Sequence, residues 1–232
     1  GFIGAGNMGL PMIKNLVKKG FQVKVFDVNP KITKKLEKDN IKAVNNLRAV
    51  ASNQFIISIL PDTQNVESVF NNDTGINSYL KPGTIVIDMS TISSSSAIEI
   101  GKSLQIKQIE FLDAPVSGGV KGALNASLSI MIGGKKETYK KSLDVLNSLG
   151  ENIIYAGRLG MGQVFKMCNQ IMVGSHIQAM CEAFALCKSK GGDIKLLKET
   201  LLGGSANSWI LENLGNEVIN KNENAGFRID LQ

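Results

Sequence analysis

Lys166 has the sequence surroundings of a proton-transfer group. It follows the glycine pair Gly160-Met161-Gly162 on a predicted helix, and Gln170 lies four residues later on the same face, with Asn169 beside it. A lysine whose pKa is lowered by burial can exchange a proton with an alcohol or an alkoxide. The neighbouring amides can orient a carbonyl or hydroxyl. Upstream, in Asp113-Ala114-Pro115-Val116-Ser117-Gly118-Gly119, the two glycines can present backbone amides unobstructed and the serine adds a hydroxyl, a combination suited to a carboxylate. Near the start, Gly4-Ala5-Gly6-Asn7-Met8-Gly9 follows the apolar Phe2-Ile3 and opens a helical pattern, as a dinucleotide-binding turn requires. Together these features predict hydride transfer between a nicotinamide dinucleotide and a small acid.

Elements of the right type surround these residues. Phe21–Phe26, Phe55–Leu60, Thr84–Asp88, Glu110–Asp113 and Leu128–Ile132 read as strands, with helical pattern between them. The first helix is expected from Met8 to Lys19, stopped by Gly20, with Leu10, Ile13, Leu16 and Val17 facing inward. This alternation predicts an α/β fold with a doubly wound parallel sheet. After Gly157 the strand pattern ends. Gln163–Lys190 reads as one long helix with Val164, Met167, Ile171, Phe184 and Leu186 inward, followed by helices over Asp193–Leu201 and Trp209–Asn220. Two domains are expected, a dinucleotide-binding one over 1–158 and an all-helical one for substrate and dimerisation over 159–232.

Asp27 closes the second strand at the distance expected of a residue that binds the adenine ribose hydroxyls. Val28 supplies no cation for a 2′-phosphate, so NAD is favoured, with Lys31 and Lys34 keeping NADP as the alternative. Leu60 and Pro61 are expected to line the adenosine side of the crevice. Thr91, after Asp88-Met89-Ser90, is expected at the nicotinamide ribose or as a helix cap, a role Ser93 or Ser94 could also fill.

At 232 residues, 43% hydrophobic and 20% charged, the chain reads as soluble and globular. Its net charge of +6 is spread over helical stretches such as Lys31–Lys38 and Lys135–Lys141, which argues for solvated faces and against nucleic-acid binding. No apolar run reaches the roughly 20 residues that cross a bilayer, and the first residues lead straight into a glycine turn instead of a basic segment and hydrophobic signal, so secretion is not expected. Cys168, Cys181 and Cys187 lack the spacing of a zinc site or disulfide framework and read as buried reduced thiols. The lone histidine, His176, reads as structural. Both ends read as incomplete.

These motifs, in this order, resemble the β-hydroxyacid dehydrogenase family along essentially the whole chain, in particular its 3-hydroxyisobutyrate dehydrogenases and tartronate semialdehyde reductases. The resemblance implies a Rossmann-type cofactor domain, a helical second domain, NAD(P)-dependent oxidation of short 3-hydroxy acids, a homodimer or homotetramer, and no metal. Lys166 falls on the family's catalytic lysine and Asn169-Gln170 on its paired amides. A cytoplasmic location follows, or the mitochondrial matrix if a targeting segment precedes the chain. The Asn169-Gln170 pair and Gly226-Phe-Arg-Ile-Asp-Leu231 are similar to tartronate semialdehyde reductases, whereas Asp27-Val28 is similar to NAD-using 3-hydroxyisobutyrate enzymes. A second family lysine would fall just past Gln232. Resemblance to 6-phosphogluconate dehydrogenases is weaker, because Asn169 stands where that family has histidine and the chain is much shorter. Non-catalytic scaffold relatives form the alternative of another class, and the retained Lys166 argues against them.

Overall fold

The computed structural model describes residues 1–39, 41–71 and 73–222. The chain divides into two compact units, Gly1–Lys166 and Met167–Gln232.

The first unit is built on strands β1 (Phe2–Ile3), β2 (Lys24–Phe26), β3 (Lys42–Ala43), β4 (Phe55–Ser58), β5 (Ile85–Asp88), β6 (Glu110–Asp113), β7 (Val116–Ser117), β8 (Leu128–Gly134) and β9 (Gly150–Gly157). They form one sheet in the order β3-β2-β1-β4-β5-β6-β8-β7, with β9 also pairing β8. From β3 to β6 all pairings are parallel. The first six strands thus have the order of a doubly wound dinucleotide fold. Beyond them the sheet is mixed: β8 runs antiparallel to β6 and β7, and parallel to β9.

Helices α1 (Gly9–Lys18), α2 (Pro30–Lys38), α3 (Leu47–Ala51), α4 (Thr63–Val69), α5 (Ser94–Ile106), α6 (Gly119–Asn125), α7 (Lys136–Lys141) and α8 (Leu143–Leu146) connect these strands. Buried strand residues alternate between two cores because successive side chains leave a strand on opposite faces. Phe2, Ile57, Ile85, Ile87 and Leu112 join Met12, Ile13 and Leu16 of α1 in one core. Ile3, Ile56, Val86 and Phe111 join Ala97, Ile100 and Leu104 of α5 in the other. Both faces of the central strands are therefore covered, which explains their nearly unbroken apolar runs.

Helix α9 (Met161–Ser189) begins in the first unit and runs into the second, where α10 (Ile194–Leu202) and α11 (Trp209–Ile219) follow. Asp193 and Ser208 cap α10 and α11 by accepting from amides of their first turns. Met180, Phe184, Ile210 and Leu211 form the buried centre of this unit.

Several sequence expectations require correction. On α1 the inward stripe contains Met12, while Val17 is exposed and Leu10 only half-buried. On α9 only Phe184 of the expected stripe is buried; Val164 is half-buried, and Met167, Ile171 and Leu186 are exposed. The apolar character of α9 exceeds what α10 and α11 cover. All three cysteines are free, but Cys168 and Cys181 are exposed and Cys187 is half-buried. β2 starts at Lys24, not at Phe21, because the chain is still closing α1: the Phe21 amide donates to Leu16 O, and Gly20 has φ +90°. β3, β7 and β9 were not expected, the first two being only two residues long. The Gly226–Leu231 motif lies outside the described residues.

Candidate functional site

β1 lies between β2 and β4, so the strand order reverses direction there and a crevice opens at the carboxyl ends. Gly4–Gly9, Asp27, Leu60-Pro61 and Thr91 follow the carboxyl ends of β1, β2, β4 and β5 respectively. Gly4 has φ +91°, and its amide donates to Phe26 O at 3.0 Å. A β-carbon on Gly4 would strike Ile59 O, and one on Gly9 would strike Gly4 O. These two glycines let turn, strand and helix close on one another. Gly6 differs, since a β-carbon there would meet nothing within 4 Å. Its outer face is open, beside exposed Asn7 and half-buried Met8.

Helix α1 has no side-chain cap and no acidic residue in its first turn, whereas Asn29, Asn46, Asp62 and Ser93 cap α2 to α5. Its first amides and dipole remain available to an anion, and the open face at Gly6 leaves room for a pyrophosphate. Asp27 accepts from Ala5 N at 2.7 Å through Oδ2 and from Asn29 N at 2.8 Å through Oδ1, so the carboxylate is fixed beside the turn with lone pairs to spare. Val28, Lys31 and Lys34 are exposed. The half-buried Leu60 donates its amide to Ser90 Oγ at 2.9 Å, and Pro61 is exposed. Thr91 is half-buried and is not the cap of α5, since Ser93 Oγ receives the Ser96 amide at 3.0 Å.

Ser117 ends β7, paired with Ser129 of β8, and Gly118 and Gly119 follow at φ +124° and +60°. Both glycines occupy the left-handed region, which strains any residue with a β-carbon. Gly119 is exposed and opens α6 without a side-chain cap. Asn15 Nδ2 donates to Ala123 O at 2.7 Å, tying α6 to α1.

Asp113, at the end of β6, anchors the helix that bears Lys166. Its Oδ1 accepts from Gly160 N at 2.8 Å and its Oδ2 from Gln163 N at 3.0 Å, with the Gly162 amide also bonded to it. Ser94 Oγ donates to Gly160 O at 3.1 Å. Lys166 lies one turn beyond Gln163 with only 8% of its surface exposed, and burial lowers its pKa to about 8. Half-buried Asn169 and Gln170 are bonded to each other in the second unit, Asn169 Nδ2 donating to Gln170 Oε1 at 3.0 Å. His176 is half-buried on the same helix. Among the described residues no cluster of metal-ligating side chains occurs, and no helix is long and apolar enough to cross a membrane.

Sequence reasoning missed the anchoring role of Asp113. The available signal was Arg158-Leu159-Gly160 ahead of a long helix, which offers no Ser, Thr, Asp or Asn as a cap and so requires a distant acceptor. It also missed Asp88, whose Oδ1 accepts from Ser58 Oγ and Ser90 Oγ, both at 2.7 Å. Burial raises the pKa of Asp88 to about 6, against the opposing effect of these bonds, with the nearby Asp113 carboxylate adding to the rise. Asp113 is likewise raised to about 6 by burial. The folded protein therefore holds these protons more tightly than the unfolded chain. This contribution to stability is fully present below about pH 4 and is lost as pH rises through about 6. For Asp88 alone the loss is of order 3 kcal/mol. Denaturant titrations at pH 4.5 and 8 are expected to show a smaller decline in Asp88→Asn than in the parent, and equal declines would refute this linkage.

Residues 1–157 match the NAD-binding domain of 6-phosphogluconate dehydrogenase, and residues 160–232 match the family described as NAD-binding of NADP-dependent 3-hydroxyisobutyrate dehydrogenase. The chain is 38% identical to a 3-hydroxyisobutyrate dehydrogenase of Pseudomonas aeruginosa over 90% of its length and 71% of that protein's. It is 35% identical to the 2-hydroxy-3-oxopropionate reductase of Escherichia coli, covering 100% of this chain and 79% of the relative. The structure of Mycobacterium tuberculosis 3-hydroxyisobutyrate dehydrogenase with L-serine superposes with a TM-score of 0.84 at 34% identity, over 91% of this chain and 72% of that one. With a doubly wound sheet, an open glycine turn and matches along both parts of the chain, this protein belongs to the β-hydroxyacid dehydrogenase family, whose members are NAD(P)-dependent dehydrogenases acting on CH–OH groups.

Proposed function

We propose that this protein interconverts a short 3-hydroxy acid and its semialdehyde, as a 3-hydroxyisobutyrate dehydrogenase does, with Lys166 exchanging the hydroxyl proton. The observation that carries this reading is the burial of Lys166 on a helix anchored at the carboxyl edge of β6, with its pKa lowered to about 8. Gly4, Gly6, Asn7, Met8 and Gly9 would hold the pyrophosphate of NAD(P), Asp27 the adenine ribose, Leu60 and Pro61 the adenosine side, and Thr91 the nicotinamide ribose. Held there, the nicotinamide would supply the hydride acceptor for oxidation at the carbinol carbon.

In the oxidation direction the neutral amine of Lys166 takes the hydroxyl proton as the carbonyl forms. In reduction the ammonium returns it. Ser117 Oγ and the amides of Gly118 and Gly119 hold the substrate carboxylate. Asn169 and Gln170, three and four residues beyond Lys166 along α9, donate to the substrate oxygens. The Asn169-Gln170 pair and the 35% identical reductase support a second reading, 2-hydroxy-3-oxopropionate as the substrate. Asp27 repels a 2′-phosphate and Val28 offers it no partner, which supports NAD over NADP. Apolar side chains exposed on α9, among them Ile171 and Met172, support a homodimer or homotetramer. The three free cysteines support a reducing compartment, cytoplasm or mitochondrial matrix.

The test is a panel of 3-hydroxyisobutyrate, glycerate and L-serine with both cofactors on the full-length protein. NAD reduction is expected with at least one acid, at a kcat/KM exceeding that with NADP by about tenfold, equivalent to ~1.4 kcal/mol. Absence of turnover with every acid and both cofactors would sink the reading, and preference for NADP would sink the cofactor assignment.

A further inference from the structure

One fully buried side chain connects the segment carrying Thr91 to the helix carrying Lys166. Gln163 is 0% exposed. Its Nε2 donates to Ser90 O at 2.9 Å, and its Oε1 accepts from Ile92 N at 3.1 Å. The two bonds straddle Thr91, so the amide grips the backbone on either side of it. On the helix side, the Gln163 backbone N–H donates to Asp113 Oδ2 at 3.0 Å. Lys166 follows three residues later, on the next turn of the same face.

We infer that Gln163 is a positioning residue that holds Thr91 and Lys166 in one fixed register. The inference rests on the function proposed above. The clamp needs one donor and one acceptor at its tip, which an amide supplies in a single orientation. A carboxylate of the same shape supplies only acceptors and would oppose Ser90 O. A protonated carboxyl restores the donor. A methionine of similar length supplies neither, and leaves Ser90 O and Ile92 N without partners in a dry interior.

The charged groups around this amide are Asp113, bonded to the Gln163 backbone, Asp88, bonded to Ser90, and Lys166 on the next turn. The carboxyls titrate in parent and variant alike, so the readout is the ratio between the two. NADH affinity, followed by fluorescence, is the measurement. At pH 8, Gln163→Glu is expected to bind NADH about tenfold more weakly than the parent, with the ratio closing as pH falls toward 5.5. Gln163→Met should be weakened by a similar factor with no recovery at low pH.

Parent-like affinity in both variants, or a Gln163→Glu ratio that stays flat with pH, would overturn the inference. A side chain that merely fills space would make Gln163→Met the milder change at every pH. If neither variant folds, hydrogen exchange in the unaltered protein decides. The Ile92 amide should then be protected to within about tenfold of the Met89 amide, which donates to Ser58 O, and exchange at the rate of an exposed amide would rule the clamp out. A parent that binds NADH but oxidises no 3-hydroxy acid would defeat the proposed function while leaving the affinity ratios readable.

Discussion

Lys166→Ala is expected to lower kcat by about 10²- to 10⁴-fold, the range for loss of a positioned general acid or base, while NADH affinity stays within about twofold of the parent. The separation arises because the residues assigned to the phosphates and ribose are on the turn after β1 and at the ends of β2, β4 and β5, whereas Lys166 belongs to α9. The sign of the pH dependence follows from the lowered pKa. Oxidation requires the neutral amine, so its rate should rise with pH through about 8, and reduction requires the ammonium, so its rate should fall over the same interval. Burial is the cause of the shift, so the limb should be insensitive to salt, unlike one set by a surface charge. Steady-state kinetics in both directions from pH 6 to 10 would check this. Undiminished turnover in the alanine variant would remove Lys166 from the mechanism.

Gly162→Ala should be strongly damaging, costing about 3 kcal/mol of stability. A β-carbon there would lie 2.6 Å from Asp113 O and 2.8 Å from its Oδ2, and would also strike Met131 O. Two of these are backbone oxygens of β6 and β8, so the strain cannot be relieved by a rotamer change. Alanine's helix propensity favours the substitution by at most ~1 kcal/mol, and the steric term prevails. Because the same contacts seat the first turn of α9, the surviving folded fraction should also show reduced turnover. Gly203→Ala is the control, since its β-carbon would approach nothing closer than 3.6 Å. Urea denaturation of both variants tests the argument, and equal midpoints would refute it.

The glycine turn and its acidic partner were legible because both signals are local. Gly4, Gly6 and Gly9 have fixed spacing, and Asp27 closes the next strand. Strand positions were legible where apolar runs are buried on both sheet faces, as in Ile85–Asp88. The short β3 and β7 were not, since two residues carry no periodicity. The exposed Met167 and Ile171 defeated the inward stripe on α9 because hydrophobicity reports what a side chain avoids, without naming the surface that covers it.

By itself the sequence determined the alternation of strands and helices and the glycine turn after the first strand, and it singled out Lys166 as a candidate from among many lysines. Only tertiary structure decided how that lysine is held. Asp113 and Gln163 are far apart in sequence, as are Gln163 and the Ser90–Ile92 segment it clasps, so no local pattern encodes their meeting. They meet because β5 and β6 end side by side, and because the first amides of α9 lack a local cap and must find an acceptor in a dry interior. The same burial that demands those hydrogen bonds lowers the pKa of Lys166 and raises those of Asp88 and Asp113. Desolvation is a property of the folded surroundings, and a linear string of residues does not contain it.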